Sequence, residues 1–284
     1  MRFWLLLVCL WIFPASAVTK MVVSSRPIYD ILNQVKTDDL ELSLIAQNSH
    51  SHNTELLPKD KLVMNESDVL LAIEPFDASL IKAANQLNKK VIVLNGLSQH
   101  ILPLRIEGHD DHEHAAVENH ATDDPHFWLS PLVVQDVILW LKQEYPTMID
   151  NDEYSEFEDY IANYKQALTI GVQPRWVVYH DGWQYLENYF GFDVPLFFTQ
   201  NPQGLIRPND FKKVQEQMRE GDVKCMIIEP QTAQRVAAGA KNNLNIDVII
   251  LDPTGRTAPK GSNSLYWIWD EYMKAAKSCS DLQP

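Results

Sequence analysis

The chain has 284 residues and a formal net charge of −14, with 38 acidic against 24 basic side chains. That balance disfavours nucleic acid and anionic membrane surfaces, both of which call for basic patches. Its length is enough for two lobes of ordinary domain size.

Met1-Arg2, the apolar stretch Phe3 to Phe13 and the small-residue end Pro14-Ala15-Ser16-Ala17 read as a secretory signal peptide, residues 1–17, cut before Val18. The apolar core is shorter than the ~20 residues that a membrane-spanning helix needs, and no later segment replaces it. Cys9 lies inside that core with Leu10 beside it, which is not a lipid-attachment signature. The expectation is a released chain with no direct membrane anchor.

From Val18 the pattern alternates strand and helix. Val18 to Val23 and Glu41 to Ala46 read as strands around the helix Pro27 to Val35. Val69 to Ile73 and Val91 to Leu94 are two more, around the helix Ala78 to Leu87. Residues 108–122 break the order: they carry His109, His112, His114 and His120 among acids, with little apolar content, and predict a mobile loop. Ser130-Pro131 is a helix start, Ser as N-cap and Pro in the first turn, running to about Glu144.

A long helix follows from Asp152 to about Ile170, and Pro174 marks its exit. It is the expected connector, residues 151–173, between an N-terminal lobe (18–150) and a C-terminal lobe (174–284). Alternation then resumes, with strands at Arg175 to Tyr179, Pro195 to Thr199, Cys225 to Ile228 and Asp247 to Leu251. The intervening helices fall near Gly182 to Tyr189, Asp210 to Glu220 and Gln231 to Asn242, and a last amphipathic helix spans Ser264 to Lys277. The predicted class is α/β, two (β/α) lobes with mainly parallel sheets joined by one long helix, with a cleft between them.

Removing the leader leaves Cys225 and Cys279, an even pair bound for an oxidising compartment, and a disulfide is the expected state. The two are far apart in sequence and form no CxxC, which argues against a thiolate zinc site.

Ligands of open α/β sheets lie outside the carboxyl ends of the strands. His180 and Asp252 each follow a predicted strand there, His52 lies in the loop after Glu41 to Ala46, and His126 just precedes the Ser130 helix start. Four nitrogen or oxygen donors from two lobes can converge on one ion, and zinc takes about four such ligands. Each residue also has a plain structural role: a strand end for His180, a turn before Pro253 for Asp252, a loop position for His52 and His126. His50 stands close enough to His52 to compete with it, and the spacing to Pro58 and Asp60 favours His52. His100 reads as structural.

Four segments carry a resemblance. His52-Asn53-Thr54-Glu55-Leu56-Leu57-Pro58-Lys59-Asp60, Asp124-Pro125-His126-Phe127-Trp128-Leu129-Ser130-Pro131, Tyr179-His180-Asp181-Gly182-Trp183-Gln184-Tyr185 and Leu251-Asp252-Pro253-Thr254-Gly255 resemble, in order, the metal-site motifs of periplasmic zinc-binding proteins of ABC transporters. The resemblance covers essentially the whole mature chain, and Asp-Pro-His-x-Trp is its most specific part. It implies a periplasmic monomer that captures Zn2+ between its lobes through His52, His126 and His180, with Asp252 or water completing the site, and delivers it to an inner-membrane ABC permease. Ser51 precedes the first histidine where some zinc-specific members carry an acid. The Cys225–Cys279 pair matches the disulfide of zinc-specific members, and the short histidine-rich loop resembles their insert, a secondary low-affinity zinc site. Manganese and iron relatives usually place a carboxylate at position 180, so the third histidine favours zinc.

Two other classes remain. A secreted zinc-dependent hydrolase would also use three histidines and an open position, but no HExxH or GxSxG is present, and only Asp181 or Glu229 offers a base. A surface adhesin would favour a lipid-attachment cysteine.

Overall fold

The computed structural model describes residues 18–45, 56–105, 123–168, 171–200, 208–220, 223–232 and 246–280. The predicted signal peptide, His50, His52 and the histidine-rich segment fall outside these residues, as does nearly all of the helix expected from Gln231.

The first half runs β1 (Thr19–Val23), α1 (Arg26–Val35), β2 (Leu40–Leu44), α2 (Pro58–Glu66), β3 (Val69–Ala72), α3 (Ala78–Gln86) and β4 (Lys90–Val93). Its four strands are all parallel in the order β2-β1-β3-β4. Next come α4 (Pro131–Glu144) and the long α5 (Asn151–Leu168). The second half runs β5 (Trp176–His180), α6 (Gln184–Phe190), β6 (Leu196–Thr199), α7 (Pro208–Glu220), β7 (Cys225–Ile228), β8 (Asp247–Ile250) and α8 (Ser264–Ser278). Its strands repeat the arrangement, all parallel, as β6-β5-β7-β8.

The local chemistry explains these elements. Every residue of β3, β5 and β7 is buried, as expected of parallel strands covered by helices on both faces. In α1, Ile28, Ile31, Leu32 and Val35 are buried at helical spacing. Ser130 caps α4, its Oγ accepting from Val133 N, with Pro131 in the first turn as expected. Helix α6 stops at Gly191, whose φ of +72° is a left-handed position that suits glycine. Helix α2 carries almost no apolar face, with Met64 buried and Leu62 exposed, and no periodicity announces it. Pro58 and the Asp60 carboxylate, which accepts from Leu57 N, start it instead.

The largest buried cluster runs through both halves, from Ile28 and Phe127 to Trp183 and Trp269, with a smaller cluster of its own in each half. Helix α8 lies against α1: Asp30 accepts from Ser264 N at 3.0 Å, and Asn263 Nδ2 donates to Gln34 at 2.9 Å. The Trp269 indole donates to Leu129 O at 3.0 Å. Tyr160 of α5 packs on Tyr266 of α8 with ring centroids 4.1 Å apart. Phe157, Tyr160 and Tyr164 of α5 thus pack on Tyr266 and Trp269 of α8.

Cys225, at the start of β7, is bonded to Cys279, the C-cap of α8, as the sequence predicts. The bridge joins residues 54 apart, and closing a loop of that size restricts the unfolded chain by about 4 kcal/mol on the chain-entropy model. Reduction, or the Cys225→Ala/Cys279→Ala pair, is therefore expected to lower the unfolding free energy by a few kcal/mol in a denaturant titration. An unchanged midpoint would show that the bridge adds nothing to stability.

Candidate metal centre

His180 is the last residue of β5 and is 2% exposed. In its sheet β6 lies to one side of β5 and β7 to the other, so β5 and β7 flank the point where the strand order reverses, the place where open α/β sheets bind ligands. Glu229 follows directly on β7 and is equally buried. Its Oε1 lies 2.6 Å from His180 Nδ1, and Gln231 donates to its other oxygen.

His126 belongs to the first half, just before the short helical turn Phe127–Leu129. Asp124 Oδ1 accepts twice from it, from the backbone N at 3.0 Å and from the ring Nδ1 at 2.7 Å. The Pro125 turn thereby fixes the ring. Phe76 and Trp128 pack around it, with centroids 5.7 and 5.5 Å away. The Trp128 indole donates to Pro253 O at 2.8 Å, tying this turn to the loop after β8. Tyr185 of α6 donates to Asp124 O at 2.8 Å and accepts from Leu102 N.

These ties bring the two imidazoles together across the halves, their centroids 4.9 Å apart at 66°. An ionised carboxylate only accepts, so each ring carries its proton on Nδ1 and directs the Nε2 lone pair elsewhere. Histidines that ligate metals commonly donate their other ring N–H to a carboxylate in this way. Space between the rings depends on Gly182: a Cβ there would stand 3.0 Å from His180 Cε1 and Nδ1 and 3.4 Å from His126 Nε2.

Burial opposes charging of His126, but Asp124, with smaller contributions from Glu229 and Asp181, outweighs it and holds the imidazole above its ordinary pKa. Beside the rings, Arg105 is paired with Asp181 at 2.8 Å and with Glu187 of α6. Burial pushes Glu187 up to about 7 against the pull of Arg105, and it raises Asp181 too.

The sequence matches the family "ZnuA: Zinc-uptake complex component A periplasmic" over residues 21–278. The chain belongs to this family. It is 25% identical over 265 residues to the high-affinity zinc uptake system protein ZnuA of Yersinia pestis, covering 83% of each chain. Its fold matches a zinc-bound ZnuA deletion mutant at 20% identity and a TM-score of 0.69, over 94% of this chain and all of that one. A manganese-bound periplasmic metal-binding protein from Candidatus Liberibacter asiaticus matches equally well, at 17% identity and a TM-score of 0.71 over 91% of this chain and 99% of that one. The shared fold therefore does not by itself select the metal. ZnuA-family proteins are zinc-binding components of ABC importers, and the α/β class with two parallel sheets is the one expected of them.

Of the predicted site residues, His126 and His180 are brought together, while His52 and the secondary set His109, His112, His114 and His120 lie outside the described residues. Among the described residues, no group of three or more His, Cys, Asp or Glu side chains has metal-holding geometry. Asp252 ends the run after β8, with its carboxylate turned into its own loop. Oδ1 accepts from Thr254 N and Oγ1, and Oδ2 from Thr257 N and Oγ1. His100 is exposed, its backbone N bonded to Ser98 Oγ.

The sequence reading did not assign the carboxylates behind the rings. Asp124 was visible two residues before His126, and Glu229 stands at a strand end by the same rule that selected His180. Asp124→Asn and Glu229→Gln are each expected to weaken zinc binding about 10- to 100-fold, measured by competition with a chromophoric chelator. Wild-type affinity in both variants would deny the carboxylates this orienting role.

Proposed function

We propose that the chain captures one Zn2+ through Nε2 of His126 and His180 together with His52, and delivers it from the periplasm to the membrane permease of an ABC importer. The observation that carries this reading is the facing pair of imidazoles, one from each half, each backed by a buried carboxylate on Nδ1. Neutral imidazole nitrogen is a preferred zinc donor, and rings locked before binding lose little freedom when the ion arrives. Water is the better fourth ligand, because the four hydrogen bonds that Asp252 accepts already engage its lone pairs. Binding rather than hydrolysis is supported by the state of the two candidate bases: Asp181 is engaged by Arg105, and Glu229 by His180 and Gln231.

Zinc must displace protons from the imidazoles, so binding releases protons and weakens as pH falls. Because His126 is held above its ordinary value, the loss should begin above the usual imidazole midpoint of about 6.5 and steepen below it. The test is zinc titration of the purified mature chain by calorimetry from pH 8 to 6, for the wild type, His126→Ala and His180→Ala. One ion per chain is expected at neutral pH, with each alanine costing more than the ~100-fold ceiling of an outer-shell change. Zinc affinity indifferent to both alanines, or flat across that pH range, would rule out this site.

A further inference from the structure

Asp181 is the carboxyl group nearest in sequence to a site histidine, and it backs neither ring. It is 2% exposed, and its charge acts on both His126 and His180. Oδ1 accepts from Arg105 Nη1 at 2.8 Å, while Oδ2 is buried and accepts no hydrogen bond from the described residues. Adding a carboxylate to the imidazoles moves the donor set toward oxygen, which suits manganese better than nitrogen does. An aspartate in this position can convert a nitrogen site into a mixed one.

Arg105 stands in the way. Its fork engages Asp181 through Nη1 and Glu187 through Nη2, a two-acid grip that a lysine ammonium does not reproduce. Its backbone is held as well: Gln200 donates to Arg105 O, Gln184 donates to Pro103 O at 3.0 Å, and Pro103 bridges to Asp123. The guanidinium thus has a fixed base and cannot be discharged at physiological pH.

We propose that Arg105 is a specificity-determining residue: by holding the Asp181 carboxylate, it keeps oxygen out of the coordination sphere and tilts the site toward zinc over manganese. The inference rests on His126 and His180 being ligands, as argued above, and adds what sets their preference.

The test compares Zn2+ and Mn2+ dissociation constants of the metal-free chain in the wild type, Arg105→Gln and Arg105→Gln/Asp181→Asn. Removing a positive charge strengthens binding of every divalent cation, so the informative quantity is the ratio of the two constants. Arg105→Gln is expected to shift that ratio toward manganese by about tenfold or more, the scale of outer-shell effects, and the added Asp181→Asn to return it to the wild-type value. A ratio unchanged in Arg105→Gln, or a shift that survives Asp181→Asn, overturns the proposal. Should Arg105→Gln fail to fold, a crystal structure of the zinc-loaded wild type decides. Asp181 still on Arg105 supports the proposal, and Asp181 on the metal overturns it. Failure of the wild type to bind zinc through His126 and His180 would instead overturn the underlying site, whereas normal zinc binding with an unmoved ratio removes only the role of Arg105.

Discussion

The Asp124–His126 and Glu229–His180 hydrogen bonds are the constraint that the rest of the molecule serves. An imidazole offers a metal one nitrogen at a time, and which one depends on where the other is held. Anchoring Nδ1 on a buried acid leaves Nε2 as the nitrogen that a metal would meet. The cost is two carboxylates removed from water, which a protein sustains only where each has a partner of good geometry. The surrounding structure meets that condition with the Pro125 turn on one side and Gln231 on the other.

The two rings are useful only if the two halves keep their spacing. That spacing is held by contacts between halves: the Trp128 indole on Pro253 O, the Tyr185 hydroxyl on Asp124 O and the Trp269 indole on Leu129 O. All three are neutral donors in a shared apolar core, strong in low dielectric and costly to leave unmade. The two similar sheets are thus tied to each other by hydrogen bonds as well as by packing.

Much of this was legible in the sequence. Unbroken apolar runs such as Trp176 to Tyr179 and Cys225 to Ile228 reveal parallel strands, Ser130-Pro131 reveals a helix start, and the strand-end rule picks out His180, which the fold brings beside His126. The same rule points to Asp252, whose carboxylate the structure shows turned inward, because Thr254 and Thr257 lie two and five residues ahead and satisfy it locally. Helix α2 escaped notice because capping rather than periodicity forms it. Arg105 was hidden for another reason: its partners are 76 and 82 residues away, and no local pattern marks a charge whose meaning is entirely tertiary.

The return of α8 to α1 bears on how the molecule is made. Asp30 and Gln34 meet partners 234 and 229 residues further along the chain, so this side of α1 is covered only by the far end of the described residues. Contacts of such long range are slow to form. The side of α1 that meets α8 therefore stays uncovered during synthesis until the carboxyl-terminal helix has been made and docks.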